Sequence, residues 1–269
     1  MFCFFVLWYN LGKEPLCGGI FMNFDSFLYN TRPFLNYLFD FYSNLDNKSL
    51  SSVIYDAGGV DKVSILIVDM VNGFCKSGPL ASPRVAGIIE PIKNLIKASY
   101  RMGIKNVFFI NDSHTVGAAE FGEFPQHCVK GSFESEIVDE LKEVIEGEPV
   151  VFEKNSLNAF FGGELEGGNE FLKKTLEMIK EGKSTFIVVG DCTDLCVYQT
   201  AMSIKMIANA NNLKVNVIVP ENCVETYDIS VKTAQSLKIM PHDGDLVHTM
   251  FLYHMKLNGI EIVKELLEE

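Results

Sequence analysis

Short runs of apolar residues alternate with longer amphipathic segments along most of this 269-residue chain. Continuous apolar runs are typical of strands that are buried on both faces of a parallel sheet. They predict strands at 63–69, 107–112, 149–152, 185–190 and 215–219. The amphipathic segments between them predict helices at about 84–102, 133–146, 165–181 and 194–210.

Strands and helices that alternate in this way indicate βαβ units with right-handed crossovers and helices on both faces of the sheet. We therefore predict an α/β fold: a three-layer α/β/α, doubly wound domain with a mainly parallel sheet at 63–269. Aromatic and aliphatic residues recur at one-turn spacing in 22–48, so residues 22–62 are predicted to form a helical flanking segment. Residues 1–21 are interpreted as an N-terminal extension without an assigned function.

The charge of the chain limits its partners. A net charge of −12 argues against nucleic acid, whose phosphates need clustered lysine and arginine, and against anionic membranes.

The apolar stretch at 1–9 is too short to span a bilayer and lacks the features of a signal peptide. Seven cysteines without a CxxC pair suit a reducing compartment. We expect a cytoplasmic protein that binds a small molecule and neither nucleic acid nor membrane.

Polar or reactive residues stand where four of the predicted strands end. Asp69 and Asp112 close two strands, Lys154 lies just past a third, and the turn at 190–196 follows a fourth. In open parallel sheets, ligands bind beyond the carboxyl ends of the strands. These residues therefore predict a functional site at that edge of the sheet.

The turn Gly190-Asp-Cys-Thr-Asp-Leu-Cys196 contains a candidate nucleophile. If Thr193 or Asp194 caps the following helix, Cys196 lies in its first turn, where the helix dipole lowers the pKa of a thiol. Backbone N–H groups there can also hold an oxyanion. The alternative is that Cys192 and Cys196 are small apolar core residues, which free cysteines usually are.

Two further residues would complete an activation scheme for this cysteine. Asp69 could accept the thiol proton, and Lys154 could stabilise the thiolate. Each also has a more common role, Asp69 as a helix cap or a structural hydrogen-bonding group and Lys154 as a solvated lysine. The scheme therefore depends on whether the fold brings the three side chains together.

A second candidate site contains Asp112, His114, Glu120 and His127. Carboxylates and imidazoles are ligands of Zn²⁺, Mn²⁺ and Fe²⁺. The alternative is that two of the five histidines fall in one loop by chance. The remaining histidines are interpreted as structural: His242, His248 and His254.

Three segments in order resemble the isochorismatase-like cysteine hydrolases, and within them the nicotinamidases, over residues 63–225. Residues 68–75 resemble the family's opening motif, 152–160 its lysine segment, and 190–197 its nucleophile turn G-x-x-T-D-x-C-V. Two more segments, Asn111-Asp-Ser-His114 and Phe124-Pro-Gln-His-Cys128, resemble the nicotinamidase metal motifs.

The resemblance implies an isochorismatase-like hydrolase fold with a catalytic triad of Asp69, Lys154 and Cys196. It also implies a cis peptide bond between Asp191 and Cys192, with the backbone N–H groups of Cys192 and Cys196 as oxyanion donors. The implied reaction is hydrolysis of nicotinamide to nicotinic acid and ammonia through a cysteine thioester, a step of NAD salvage.

The resemblance further implies a divalent metal, zinc with iron or manganese as alternatives, that holds the pyridine nitrogen of the substrate. The substrate ring would lie between Phe74 and Phe124, and the family implies a homo-oligomer. The implied metal ligands are Asp112, His114, Glu120 and His127.

Two departures from the nicotinamidase pattern leave other functions open. Leu157 stands where many nicotinamidases have an aromatic residue, and Asn158 stands where serine is usual. The chain could instead be a metal-independent cysteine amidase that acts on another small amide or carbamoyl compound. A non-enzymatic ligand-binding member is the third alternative, and it would be expected to have lost a residue of the triad.

Overall fold

The computed structural model of this chain describes residues 23–161 and 169–269. The predicted extension at 1–21 lies outside the described residues. The described helices are α1 Phe24–Ser43, α2 Leu50–Ala57, α3 Asn72–Cys75, α4 Pro83–Gly87, α5 Ile89–Arg101, α6 Asp139–Lys142, α7 Glu170–Lys180, α8 Cys196–Ala210, α9 Val231–Leu237 and α10 Gly244–Leu257. The described strands are β1 Lys48–Ser49, β2 Val63–Val68, β3 Asn106–Asp112, β4 Val150–Lys154, β5 Thr185–Asp191, β6 Asn216–Pro220, β7 Val224–Glu225, β8 Glu261–Val263 and β9 Leu266–Leu267.

The main sheet has the strand order β4-β3-β2-β5-β6-β8, and all its neighbours are parallel. The short strand β7 extends it by pairing with the end of β5. Side chains of one strand alternate between two cores: Ile65 and Ile67 belong to the core that α5 covers, Leu66 and Val68 to the core that α8 covers. This is the predicted three-layer α/β/α arrangement, and the fold class is confirmed.

Two predicted helices differ from the structure. The helix predicted at 84–102 is two helices, α4 and α5, separated at Ile88. Pro91 lies four residues after Gly87 and has no N–H to donate to its carbonyl, so the helical hydrogen bonding is interrupted there. The predicted boundary at 165 also differs, because α7 begins at Glu170.

The helix predicted at 133–146 is mostly absent; only a 3₁₀ turn and the four-residue α6 form there. The backbone of this segment pairs with the loop after β2 instead. Asn72 donates its N–H to the carbonyl of Glu136 (2.9 Å), and Val138 donates to the carbonyl of Met70 (3.1 Å). The Glu136 carbonyl and the Val138 N–H are used by these bonds, so neither can take part in a helix that runs through 133–146.

The flanking segment packs on the domain through two helices. On α1, the rings of Phe34, Tyr37 and Phe41 surround Tyr253 of α10 at centroid distances of 5.5–5.8 Å. On α2, Leu50 enters the core beside α5. Within the described ranges, no helix has the length and apolar character needed to cross a bilayer.

Candidate active site

The carboxyl edge of the sheet brings the predicted catalytic residues together. Asp69 directly follows β2, Asp112 and Lys154 end the neighbouring strands β3 and β4, and Cys196 begins α8 after β5. Asp112 and Lys154 are register partners, so Lys154 belongs to its strand rather than following it as predicted.

Lys154 is the buried centre of this cluster, with only 1% of its surface exposed. Its Nζ lies 2.8 Å from Asp69 Oδ2 and 3.3 Å from Cys196 Sγ, and it donates a hydrogen bond to Asp112 Oδ1. Burial alone would lower the pKa of Lys154, but the charges of Asp112 and Asp69 outweigh it and raise the pKa well above its usual range. The ammonium group is therefore held charged beside the thiol.

Asp69 is a carboxylate close to the thiol of Cys196. One of its carboxylate oxygens lies within 4.8 Å of Sγ, and Oδ1 accepts the backbone N–H of Asp112 at 2.6 Å. Burial and the charge of Asp112 raise the pKa of Asp69 to about 6, against the opposing effect of Lys154. This makes its carboxylate a stronger base than an ordinary aspartate.

The helix that carries Cys196 begins differently from the prediction. Cys196 is the first residue of α8, and the N-cap position is Leu195, whose side chain provides no cap. The predicted cap at Thr193 or Asp194 is wrong, because both side chains have other partners. Thr193 Oγ1 hydrogen-bonds to Nδ1 of His248 at 2.8 Å.

Asp194 is held by the C-terminal part of the chain. Its Oδ1 accepts a hydrogen bond from the hydroxyl of Thr226 (2.6 Å), and its Oδ2 lies 2.9 Å from His242 Nε2. His242 in turn stacks on Tyr227, with ring centroids 4.0 Å apart. The nucleophile turn is thus hydrogen-bonded to the segment after β7. These contacts could not be predicted from the sequence, because the residues are far apart along the chain.

The surroundings of Cys196 raise the pKa of its thiol, so its position at the start of the helix does not by itself produce a thiolate. Only 4% of Cys196 is exposed. Burial raises its pKa well above the usual range, Lys154 lowers it in part, and Asp69 and Asp112 raise it further. The predicted depression of this pKa is therefore wrong, because burial and the two carboxylates outweigh the opposing effect of Lys154. Formation of the thiolate requires a base in contact with the thiol.

The segment before Cys196 contains a glycine that close packing requires and a cis peptide bond. Gly190 has φ +114°, and a Cβ there would lie 1.9 Å from the carbonyl oxygen of Val68. Only glycine lets β5 approach β2 so closely. The peptide bond between Asp191 and Cys192 is cis, as the resemblance implies.

The predicted metal ligands also lie together. His114 Nε2 and His127 Nε2 are 3.1 Å apart, and each lies close to a carboxylate oxygen of Asp112, at 3.5 and 3.6 Å. Glu120 Oε1 is 4.0 Å from His114 Nε2 and has no hydrogen-bond partner among residues 23–161 and 169–269. Its other oxygen accepts the backbone N–H of Leu157.

The hydrogen bonds of the Nδ1 atoms of the two histidines indicate whether their Nε2 atoms carry a proton or a lone pair. His127 Nδ1 is 2.8 Å from the carbonyl of Pro125, and His114 Nδ1 is 3.2 Å from Asn155 Oδ1. Both partners are acceptors, so both Nδ1 atoms donate. In neutral imidazoles the two Nε2 atoms then carry lone pairs, and these lone pairs face each other beside Asp112. This donor set fits a divalent metal ion.

A cavity connects the two clusters. Phe74 and Phe124 both line it, and their ring centroids lie 5.5 and 6.4 Å from that of His127. Leu157 forms part of the same wall. The sequence interpretation missed Tyr227, whose place in the wall depends on the long-range stack with His242, and it named Asp191 only for its peptide bond.

Comparison with known proteins identifies the family. The isochorismatase domain matches residues 63–249. Nicotinamidase 1 of Arabidopsis thaliana is 31% identical over 218 residues, which are 76% of this chain and 86% of that protein.

Solved structures agree with this assignment. The pyrazinamidase of Pyrococcus horikoshii in complex with zinc has a TM-score of 0.54 at 21% identity, over 76% of this chain and 99% of that one. The N-carbamoylsarcosine amidase of Thermoplasma acidophilum has a TM-score of 0.52 at 24% identity, over 75% and 95% of the two chains. Sequence and fold together show that this chain belongs to the isochorismatase-domain family of hydrolases.

Proposed function

We propose that this chain hydrolyses nicotinamide to nicotinic acid and ammonia through a thioester on Cys196. As a family member with a nicotinamidase relative at 31% identity, the chain is an amide-bond hydrolase, and the proposal concerns its substrate and mechanism. The observation that carries it is the buried contact of Lys154 Nζ with both Asp69 and Cys196.

The first step is activation of the thiol. Asp69 accepts the proton of Cys196, and the ammonium group of Lys154 stabilises the thiolate at 3.3 Å. The raised pKa of Asp69, about 6, favours this transfer because a stronger base takes the proton more readily. Once the thiol has lost its proton, the buried cluster retains a compensating positive charge on Lys154.

The bond changes follow from this arrangement. Sulfur bonds to the carboxamide carbon, and backbone N–H groups of Cys192 and Cys196 stabilise the oxyanion. The carbon–nitrogen bond then breaks, and the proton on Asp69 goes to the departing nitrogen, which leaves as ammonia. Water next attacks the thioester carbon and gives up a proton to Asp69, and the carbon–sulfur bond breaks. Asp69 then returns this proton to the departing sulfur, so that nicotinic acid leaves and the free thiol is restored.

A divalent metal belongs beside this cluster, on Asp112, His114 and His127 with Glu120 as a further carboxylate. When bound, such an ion would fix a ring nitrogen of the substrate and polarise the ring. We propose zinc, which imidazole and carboxylate ligands suit, as in the zinc complex of the Pyrococcus horikoshii pyrazinamidase. Iron or manganese would fit the same donors.

The remaining features support a small flat substrate. Phe74 and Phe124 would enclose its ring, and Leu157 adds an apolar wall. The cysteines of the described part of the chain are free, which agrees with a reducing cytoplasm. We assign the reaction to NAD salvage there, and from the family resemblance we expect a homo-oligomer without nucleic-acid or membrane partners.

A second candidate is an amidase that needs no metal and acts on another small amide or carbamoyl compound. Leu157 favours it, since that position departs from the nicotinamidase pattern, and the Thermoplasma N-carbamoylsarcosine amidase shares the fold. A non-enzymatic role is disfavoured, because Asp69, Lys154 and Cys196 are all present and in contact.

Ammonia release from a panel of substrates separates these functions. Purified protein would be supplied with nicotinamide, pyrazinamide and N-carbamoylsarcosine, with nicotinic acid as the control that has no amide nitrogen. We expect turnover of nicotinamide by protein that contains a stoichiometric divalent metal. Turnover of the carbamoyl compound without turnover of nicotinamide would replace this proposal with the second candidate.

A further inference from the structure

Asp191 is a buried acid in the active-site cavity that the mechanism above does not use. It ends β5, has 1% of its surface exposed, and lines the same cavity as Asp69 and Cys196. Its Oδ2 accepts a weak hydrogen bond from the thiol of Cys192 at 3.7 Å. Its Oδ1 is buried and has no hydrogen-bond partner anywhere in the described ranges.

An unpaired buried oxygen is costly and therefore needs an explanation. Burying a polar atom without a partner destabilises the folded protein, and most such atoms in folded proteins are paired. Here the atom belongs to a residue in the wall of a substrate cavity. A hydrogen-bond donor on the substrate would remove the cost when it binds.

The surroundings of Asp191 indicate which substrate group this is. Burial raises its pKa well above the usual range, and the charge that adds most to this effect is that of Asp69. Asp69 and Asp191 directly follow Val68 and Gly190, which are register partners on β2 and β5, and both acids line the cavity. In the proposed mechanism Asp69 protonates the departing nitrogen, so a substrate nitrogen that faces Asp69 lies in a cavity that Asp191 also lines.

We propose that Asp191 is a substrate-binding residue whose Oδ1 accepts a hydrogen bond from the amide nitrogen. This inference rests on the proposed function, in which Asp69 faces that nitrogen. It assigns the cavity to compounds with a primary amide or a terminal carbamoyl N–H. The acid product has no such N–H and cannot make this hydrogen bond, so the same residue favours substrate over product.

The alternative is that Asp191 only supports the turn through its contact with Cys192. The two roles differ in what they do to substrate and product. A supporting role affects binding of nicotinamide and of nicotinic acid alike. A bond to the amide nitrogen affects nicotinamide alone, because the two ligands share the ring and differ in that group.

The experiment compares KM for nicotinamide with the inhibition constant of nicotinic acid in Asp191→Leu and Asp191→Asn. Leucine removes the acceptor, and we expect KM to rise about tenfold while the inhibition constant of nicotinic acid stays the same or falls. Asparagine keeps an acceptor oxygen, and we expect its KM to change by less than about threefold. A parallel rise of both constants in Asp191→Leu, or no change in either, would overturn the proposal.

Two additions keep this test decisive. If Asp191→Leu does not fold, Asp191→Ser is too short to reach the nitrogen, and the same separation of the two constants is expected. If the wild-type protein releases no ammonia from nicotinamide, the proposed function fails by itself, and the Asp191 variants are compared on the panel amide that is hydrolysed and on its acid. Wild-type protein that hydrolyses none of the amides would overturn both proposals.

Discussion

Two imidazole nitrogens that face each other at 3.1 Å define the chemistry of the second cluster at the residue scale. Each ring donates its outer N–H to an acceptor, so both inner nitrogens present lone pairs beside Asp112. Lone pairs in this position repel unless a cation or a proton lies between them. The sequence contains the residue types of a metal site, but only the fold shows that the Nε2 atoms of His114 and His127 face the same position.

This geometry predicts the effect of removing one histidine. We expect His114→Ala to bind at least about tenfold less divalent metal, because loss of one ligand leaves too few donors for stable coordination. Elemental analysis of the purified variant and titration with Zn²⁺ measure it. His254→Ala, a change at an exposed position on α10, is the matched control and should keep its metal. Equal metal content in the two variants would refute the assignment of the cluster.

Residue-scale chemistry was the part that the sequence predicted least well. The strand-end positions of Asp69 and Asp112 followed from the hydrophobic pattern. The pKa of the Cys196 thiol did not, because it depends on burial by elements distant in the chain. The partners of Thr193 and Asp194 were hidden for the same reason, since both lie in the C-terminal part of the chain.

At the scale of elements, the close approach of β5 to β2 makes the site possible. Gly190 pairs with Val68 in register, and its missing Cβ leaves room for the Val68 carbonyl. Gly190 is the first residue of the nucleophile turn, so the position of the turn depends on this contact. A glycine in a strand is otherwise unfavourable, which indicates a specific requirement here.

We predict that Gly190→Ala destabilises the protein by more than about 4 kcal/mol or prevents folding, because a Cβ would overlap backbone that cannot move aside. Urea denaturation measures the change in the free energy of unfolding. Gly87→Ala is the control, since no atom lies within 4 Å of a Cβ placed there, and its effect should stay below about 1 kcal/mol. Similar stability of both variants would show that β5 can shift.

Glu221 lies directly after β6 and connects three other parts of the chain. It contacts Tyr42 of α1 and Lys264 through hydrogen bonds and lies 3.7 Å from His248 Nε2 of α10. Burial alone would raise the pKa of Glu221, but His248, Lys264 and Tyr42 outweigh it and lower the pKa to about 2. The carboxylate therefore favours the folded state when it is charged.

A pH dependence of stability follows from this shift. Because the pKa of Glu221 is lower in the folded protein, its contribution is complete above about pH 4.5 and is lost as the pH falls towards 2. We expect Glu221→Gln to lower the free energy of unfolding at pH 7 by about 2 kcal/mol and to weaken its fall below pH 4.5. Denaturation at a series of pH values measures this. Glu90→Gln, at an exposed surface pair, should retain the wild-type pH dependence.

At the scale of the whole molecule, the positions of the strands along the chain were easier to predict than the structure of the segments between them. Continuous apolar runs require burial on both faces, so β2, β3 and β5 were recognisable, and their shared edge indicated the site. The segment 133–146 has a helical composition, yet its backbone pairs with the loop after β2. Such pairing depends on tertiary context, which local propensity does not contain.

We propose above all that this protein hydrolyses nicotinamide through Cys196. The most direct test is ammonia release from nicotinamide by the wild-type protein, Cys196→Ala and Cys223→Ala, a control at a buried cysteine away from the cavity. We expect turnover by the wild-type and Cys223→Ala proteins and at least about a thousandfold loss in Cys196→Ala, which cannot form the thioester. Turnover of nicotinamide by folded Cys196→Ala at the wild-type rate would contradict it.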